Sequence, residues 1–204
     1  MNTAAVPYPV TVRGDLSVPP GRWLWLVKWL LALPHWVVLA ILAIGGVFTW
    51  IIAFFAILFT GKYPRGIFNY NVGVLRWSWR VAFYAYTVLG TDKYPPFSLD
   101  PDPDYPADLD VIYPERLSRG LVLVKWWLLA IPHYIIVGFF MGSGDGGGLT
   151  FVMAIIAAIV LLFTGKYPKD IFDLVVGMNR WGFRTYAYAV LTTDAYPPFR
   201  LFED

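Results

Sequence analysis

The chain carries one sequence pattern twice, and this duplication constrains its architecture more than any other feature. Residues 59–68 read FTGKYPRGIF and residues 163–172 read FTGKYPKDIF, an offset of 104 positions. A repeat defines a structural unit, so the sequence predicts two units of about a hundred residues, repeat 1 (1–99) and repeat 2 (100–204). Further pairs follow in the same order: LVKW at 26–29 and 123–126, LALPH at 31–35 and LAIPH at 129–133, RWSWR at 76–80 and RWGFR at 180–184, TDKYPPF at 91–97 and TDAYPPF at 193–199.

The composition indicates a lipid environment. Hydrophobic residues make up 58% of the chain and charged residues 15%, against roughly 45–50% and about 25% in soluble domains. A globule of 204 residues cannot enclose that excess, so we expect a mainly α-helical integral membrane protein. The net charge of only +2 gives no reason to expect a nucleic-acid partner. The absence of cysteine excludes disulfides and thiolate metal sites.

Each repeat contains a long apolar stretch interrupted by glycines, at Gly45-Gly46 in the first and at Gly142–Gly148 in the second. A membrane-spanning helix needs about 20 apolar residues, and its backbone groups must be satisfied within the helix. Turns at the glycines therefore predict two transmembrane helical hairpins, at about 22–60 and about 119–164. Four membrane segments in a multi-pass protein follow from this interpretation.

A basic KYP turn follows each apolar stretch, and a more polar helix follows the turn. Polar residues at steps of three, four and seven predict amphipathic helices at about 65–90 and about 169–191. The positive-inside rule favours both turns on the cytoplasmic side, so we expect parallel repeats, interfacial helices and cytoplasmic termini. The alternative is that each of these helices crosses the bilayer, which would make the repeats inverted.

Short extended pieces surround the polar segment at 98–119. Val10–Val12 alternates with a period of two, and YPPFSL and YPPFRL close the two repeats. Prolines suit the edges and starts of strands. We expect these pieces to form a small sheet at the membrane surface, built from both halves.

Four arginines are the candidate lipid-binding residues: Arg76, Arg80, Arg180 and Arg184. Each pair is spaced by one helical turn, so that two guanidinium groups leave one face of the helix. Guanidinium groups match phosphate oxygens in geometry, which predicts recognition of lipid headgroups. Two alternatives are generic anchoring at the interface and pairing with nearby aspartates, namely Asp92, Asp173 or Asp194.

The two histidines, His35 and His133, form a possible intramembrane polar site. They occupy equivalent positions after a proline, where an ionisable group is a functional hypothesis. Two imidazoles could bind haem iron or another metal, or pass protons. The structural alternative is an imidazole that satisfies either a carbonyl freed by the proline or a group on a neighbouring helix. Since neither a CxxCH motif nor a ligand-rich cluster accompanies the histidines, we expect no cofactor and no metal.

The repeated segments together resemble the bacterial membrane family known as domain of unknown function 4389. They include LFTGKYPRGIFNYNVGVLRWSWRV with TDKYPPFSL, and LLFTGKYPKDIFDLVVGMNRWGFR with TDAYPPFRL. The resemblance implies a bacterial envelope protein and no established reaction. No nucleophile with an acid–base pair is recognisable, so we expect no catalytic residues. The predicted function is a non-enzymatic accessory or scaffold subunit of the cytoplasmic membrane, in contact with lipids and a membrane-protein complex. The alternative is a redox or transport component that uses the two histidines.

Overall fold

The computed structural model describes residues 7–142 and 147–202. Within them the chain is mainly helical, with six α-helices and two short strands. A 3-10 turn at Leu24–Leu26 precedes the first helix, and a π-helical turn at Lys125–Leu129 joins the third to the fourth. The elements are β1 (Val10–Gly14), α1 (Lys28–Thr60), α2 (Arg65–Tyr84), β2 (Ala107–Val111), α3 (Leu121–Val124), α4 (Ile131–Met141), α5 (Leu149–Thr164) and α6 (Lys169–Ala189).

Helix α1 replaces the hairpin predicted at about 22–60, and that prediction is wrong. It is one continuous helix of 33 residues, about 50 Å long at 1.5 Å per residue. Gly45 serves a close approach rather than a turn, because a Cβ atom there would lie 2.5 Å from the Tyr70 hydroxyl. The helix ends at Gly61, whose φ of 70° is in the left-handed region typical of a residue that follows a helix.

The second apolar stretch is less regular than α1. The π turn precedes α4, Pro132 lies in the first turn of α4, and the axis bends by 42° between 121–129 and 131–141. The turn predicted at Gly142–Gly148 falls partly on residues 143–146, which lie outside the described residues. By length and composition α1 could cross a membrane, and the bent pair could form a second crossing, whereas α5 is shorter.

The helices after the KYP turns lie in the middle of the molecule rather than on its edge. On one side α2 contacts α1, and α6 contacts α4 and α5. On the other side α2 packs on β2, and α6 packs on β1. Tyr186 is the single large hydrophobic side chain of α2 and α6 that is exposed. The expectation of helices with one wet face at the interface is therefore wrong: both sides of α2 and α6 are covered by protein.

The strands form an antiparallel ribbon built from both halves, as the sequence predicts. Val12 lies opposite Leu109 at its centre, and Val10 lies opposite Val111. Val12 and Leu109 are 97 positions apart, as are Arg22 and Arg119, so the strands occupy equivalent places in the two repeats. The YPPF segments do not join this sheet, which has two strands in the described part of the chain.

Reciprocal contacts relate the two repeats by a pseudo-two-fold axis through the ribbon. The Tyr63 hydroxyl donates to the carbonyl of Val190 at 3.2 Å, and the Tyr167 hydroxyl donates to the carbonyl of Val88 at 2.6 Å. Each KYP tyrosine thus bonds to the far end of the other repeat. Such self-complementary contacts are typical of two-fold interfaces.

The molecule consequently has three layers. The polar layer contains the ribbon and the proline-rich loops, the middle layer contains α2 and α6, and the apolar layer contains α1 and α3–α5.

Candidate functional site

Each histidine lies in an aromatic pocket formed by its own repeat. His35 is fully buried, its ring stacks on Phe97 with centroids 4.1 Å apart, and the centroid of Tyr94 lies 4.7 Å away. The indole N–H of Trp77 donates to His35 Nδ1 at 3.1 Å. His133 has the equivalent set of partners: Trp181 at 2.9 Å, Phe199 with centroids 4.4 Å apart, and Tyr196 with centroids 4.8 Å apart.

These hydrogen bonds fix the tautomer of both imidazoles. Because an indole N–H can only donate, His35 Nδ1 must accept, and the ring proton is therefore on Nε2. A metal ligand at Nε2 would need a lone pair on that atom, and a proton relay would need Nδ1 to be free. The same holds for His133. The geometry favours two neutral structural imidazoles over ligands for haem or another metal.

Of the two forms of the structural alternative, the structure has the contact with a neighbouring helix, because Trp77 of α2 and Trp181 of α6 bond to the imidazoles, and not the contact with a carbonyl freed by the proline. The Tyr94 hydroxyl donates to the carbonyl of Leu31 at 3.0 Å, and the Tyr196 hydroxyl donates to the carbonyl of Leu129 at 3.0 Å. Tyrosine therefore binds the backbone before each proline, and tryptophan binds the imidazole. Among the described residues, groups of three or more His, Asp or Glu that could hold a metal ion are absent.

Two buried lysines form a second matched pair of sites. Lys28 is fully buried; its Nζ donates to the carbonyl of Thr91 at 2.6 Å and pairs with Asp92 at 2.8 Å. The ring of Tyr84 lies 4.9 Å from the same Nζ. In repeat 2, Lys125 has the equivalent partners Thr193 at 2.9 Å, Asp194 at 2.7 Å and Tyr188 at 5.6 Å.

The partners of both histidines and both lysines come largely from the repeated TDxYPPF segment, which we name the clamp (91–97 and 193–199). Asp92 and Asp194 also accept backbone N–H groups, from Gly21 at 2.5 Å and from Ser118 at 2.6 Å. Sequence reasoning missed the clamp, although the segment recurs in both repeats. The signal available was this recurrence, together with the lysine and histidine that also recur.

The first pair of arginines holds the ribbon instead of facing lipid. Arg76 is 5% exposed; its Nε donates to the carbonyl of Leu109 at 2.7 Å, and Nη2 pairs with Asp110 at 2.9 Å. Arg80 is fully buried and lies 3.3 Å from Asp108. Burial lowers the pKa of Arg80, and the charge of Asp108 opposes that shift. A lipid phosphate would have to displace these protein partners, so the structure does not support a headgroup site at Arg76 and Arg80.

The second pair of arginines has the same relation to the other strand. Arg180 Nε donates to the carbonyl of Val12 at 3.1 Å, the counterpart of the bond from Arg76 to Leu109. Arg184 is 2% exposed and its guanidinium lies 5.3 Å from the ring of Tyr8. Arg180 therefore also holds a strand against a helix. The aspartates suggested by sequence, Asp92, Asp173 and Asp194, pair with lysines instead: Lys28, Lys169 and Lys125.

The apolar layer exposes an unusually large amount of hydrophobic surface. Only 6% of the most apolar window of α1 is buried. Ile41, Phe48, Ile135 and Phe163 are each more than 60% exposed. Soluble monomers rarely expose continuous apolar patches larger than a few hundred Å², so this surface is typical of contact with lipid or with partner helices.

Two equivalent grooves open between the helices of the apolar layer and the middle layer. Groove A has a volume of about 370 Å³ and groove B of about 480 Å³. Part of their linings corresponds at the 104-residue offset of the repeats. Groove A is lined by residues that include Gly46, Val47, Leu75 and Tyr186, and groove B by their equivalents Thr150, Phe151, Asn179 and Ala82.

Comparison with known proteins identifies the repeated unit. A family model described as a domain of unknown function, DUF4389, matches residues 22–98 and 122–200. Each match begins a few residues before the buried lysine of its repeat and ends just after the clamp. No curated protein and no solved structure matches this chain.

Proposed function

Because the chain belongs to the DUF4389 family and carries its domain twice, we propose one function for both copies. Together they form a non-enzymatic scaffold bound to the cytoplasmic membrane of a bacterium. The apolar layer lies within one leaflet, and the polar layer faces the cytoplasm. The observation that carries this proposal is the one-sided exposure of apolar side chains on α1, α4 and α5.

The orientation of α1 follows from what lies beside it. Contacts from His35 to Trp77 and from Leu42 to Tyr70 show that α2 runs antiparallel along the first half of α1. On the far side of α2, Arg76 holds Asp110, whose side chain is 64% exposed. If this part of α1 crossed the bilayer, Asp110 would face hydrocarbon.

A charged side chain at the bilayer centre costs about 2.5–3.5 kcal/mol on the insertion scale. Asp108 and Asp110 lie on the ribbon together, so a crossing would incur that cost more than once. A helix that lies in the membrane plane avoids it, because α1 then faces the leaflet core while the ribbon remains in water. We therefore propose a monotopic arrangement in place of the multi-pass one predicted from sequence.

The charges of the KYP turns indicate the side of the membrane on which the polar layer lies. Both KYP turns are basic, with Lys62 and Arg65 in the first and Lys166 and Lys169 in the second. Since the ribbon is a single polar element on the pseudo-two-fold axis, that axis lies along the membrane normal and the repeats are parallel. The positive-inside rule then favours the cytoplasmic face for both turns.

The internal use of polar groups supports a scaffold rather than an enzyme. The lysines hold the clamps, the histidines accept hydrogen bonds from indole N–H groups, and Arg76 and Arg80 hold β2. Outside the membrane, the polar layer presents the acidic run Asp100, Asp102 and Asp104 to the cytoplasm. A membrane-protein complex that docks on this layer, together with lipid held between the two repeats, is the proposed role.

Vesicle flotation of the purified protein tests the membrane proposal. We expect the wild type to float with vesicles of phosphatidylethanolamine and phosphatidylglycerol. Replacing Phe48 and Phe139 by glutamate should abolish flotation, because both are more than 60% exposed on the apolar layer. Ile112→Glu is the matched control, since Ile112 is 60% exposed next to β2 on the polar layer. If Ile112→Glu loses flotation as fully as the variant with glutamate at Phe48 and Phe139, the assignment of the two layers is refuted.

A further inference from the structure

Asn179 belongs to the lining of groove B and has a polar atom for which the described part of the chain supplies no partner. Asn179 is fully buried, and its Nδ2 donates to the carbonyl of Val175 at 2.9 Å. This bond fixes the orientation of the amide, because the opposite orientation would place two oxygens together. The Oδ1 atom then lacks a hydrogen-bond partner. A buried acceptor without a donor is costly, so its occurrence requires an explanation.

Groove A shows how the protein satisfies a similar amide with its own hydroxyl. There the Thr49 hydroxyl donates to Asn71 Oδ1 at 2.8 Å, and Asn71 Nδ2 donates to the Tyr63 hydroxyl at 2.8 Å. The equivalent of Thr49 in repeat 2 is Met153, at the offset of 104, which has no donor. The two amides are at different positions of the repeat, since Asn71 corresponds to Val175 and Asn179 corresponds to Leu75. A protein hydroxyl reaches the amide oxygen beside groove A, and no described residue donates to that of groove B.

The groove B lining contains four hydroxyl groups, on Ser78, Tyr86, Thr87 and Thr150, and none of them donates to Asn179 Oδ1. Ser78 donates to the carbonyl of Val74 at 2.7 Å, Thr150 donates to that of Phe140 at 3.0 Å, and Tyr86 donates to that of Trp25 at 2.5 Å. These donors are engaged with the backbone. Since no described residue donates to Asn179 Oδ1, a molecule in the groove can supply the missing donor.

The rest of groove B is suited to an apolar chain. Its lining includes Leu39, Val81, Met141 and Phe183, and its volume of about 480 Å³ is within the usual range for ligand sites. Trp36 and Phe151, which are 44% and 41% exposed, belong to its lining and to the apolar layer. A chain that enters between α1 and α5 can therefore come directly from the leaflet.

We propose that groove B binds a single-chain lipid that ends in a hydroxyl group, with the hydroxyl donating to Asn179 Oδ1. The proposal rests on the monotopic arrangement, in which the apolar layer faces the leaflet core. The roof of the groove, formed by α2 and α6, then lies on the side of the headgroups. A lipid would enter with its polar end towards Asn179 and its chain towards the bilayer centre.

Oleyl alcohol and oleyl methyl ether provide the test. In the ether a methyl group replaces the hydroxyl proton, so that only the alcohol can donate a hydrogen bond. Binding to the purified full-length protein in nanodiscs is measured by native mass spectrometry, with the two ligands in competition. We expect the alcohol to be preferred by roughly fivefold, the factor that an average neutral hydrogen bond contributes. No preference in the wild type, or no binding of either ligand, would refute the proposal.

Asn179→Leu tests the residue itself and places in groove B the side chain that repeat 1 has at Leu75. This variant should bind the alcohol and the ether equally, since it lacks the acceptor. Asn71→Leu is the matched control in groove A and should keep the preference for the alcohol. If the preference persists in Asn179→Leu, the assignment is wrong.

Flotation of the same preparations separates this proposal from the membrane proposal. A wild-type protein that fails to float contradicts the monotopic arrangement. A protein that floats and shows no preference for the alcohol contradicts only the groove assignment.

Discussion

At the scale of single residues, the ionisable side chains in the apolar stretches are bonded to other parts of the protein. Lys28 and Lys125 lie in the apolar stretches, and both are fully buried against an aspartate. Their partners lie 64 and 69 positions along the chain. Local periodicity cannot reveal such pairs, because nothing in a helical pattern specifies which loop covers it. The repetition of lysine, histidine and clamp was the only hint.

Removing Asp92 should destabilise the protein strongly. Asp92→Ala leaves the Lys28 ammonium buried without its counter-charge, and we expect a loss of about 3 kcal/mol, the lower end for a broken buried pair. The lower end applies because the Asp92 side chain is 32% exposed. The free energy of unfolding is measured by titration with sodium dodecyl sulfate in mixed micelles.

Two further variants make the Asp92 experiment specific. Lys28→Met combined with Asp92→Ala should recover most of the loss, since an apolar pair no longer contains an unpaired charge. Asp104→Ala, at an exposed position of the same loop, should have little effect. If Asp92→Ala and Asp104→Ala behave alike, the buried pair does not stabilise the fold.

Alkaline pH should weaken the contact made by Tyr63. Burial raises the pKa of Tyr63 from 10.0 to about 12, so the folded state keeps its hydroxyl protonated when the unfolded state has lost the proton. The stabilisation is complete below pH 10 and is lost as the pH rises towards 12, by about 2 kcal/mol. Unfolding of wild type and Tyr63→Phe across this range measures it, because the variant lacks this contribution. If the free energies of unfolding of the two proteins depend on pH in the same way, this prediction is contradicted.

At the scale of elements, the sequence was most informative where a pattern repeats and least informative where glycines occur. The helices that follow the KYP turns and the ribbon from both halves could be predicted, because periodicity and proline placement define them locally. The hairpin in repeat 1 could not be distinguished from a continuous helix. Gly45 reads as a possible turn in sequence, but its lack of a side chain accommodates Tyr70 on the neighbouring helix.

Alanine at the two glycines of α1 distinguishes a helix from a turn. Gly46→Ala should stabilise the protein by about 0.5–1 kcal/mol, because Gly46 is inside a helix and a Cβ atom there meets nothing within 4 Å. Gly45→Ala should destabilise it, since the added Cβ would lie 2.5 Å from the Tyr70 hydroxyl. Thermal unfolding in detergent reports both. Destabilisation by Gly46→Ala would indicate a turn.

The site predicted from sequence differs from the site in the structure for a physical reason. The spacing of Arg76 and Arg80 correctly indicates two guanidinium groups on one face of a helix. Spacing does not specify what covers that face, and here β2 supplies both backbone carbonyls and carboxylates. Groove B was not predicted, because its lining comes from both repeats and from five helices.

At the scale of the whole molecule, the three layers give the protein two chemically different faces. The polar layer carries the ribbon with Asp108 and Asp110, and the apolar layer carries the exposed side chains of α1, α4 and α5. Composition predicts contact with lipid but not how the chain meets it. The positions of α2 and the ribbon beside α1 favour burial in one leaflet over crossing.

Labelling of single cysteines tests the monotopic arrangement most directly, since the natural chain has no cysteine. Thr11→Cys on the ribbon, Lys62→Cys after α1, and Ile41→Cys and Ile135→Cys on the apolar layer are each treated with a membrane-impermeant maleimide. Right-side-out and inverted membrane vesicles expose opposite faces. We predict labelling of Thr11→Cys and Lys62→Cys only in inverted vesicles, and of the other two in neither. Labelling of any of the four in right-side-out vesicles would contradict the account.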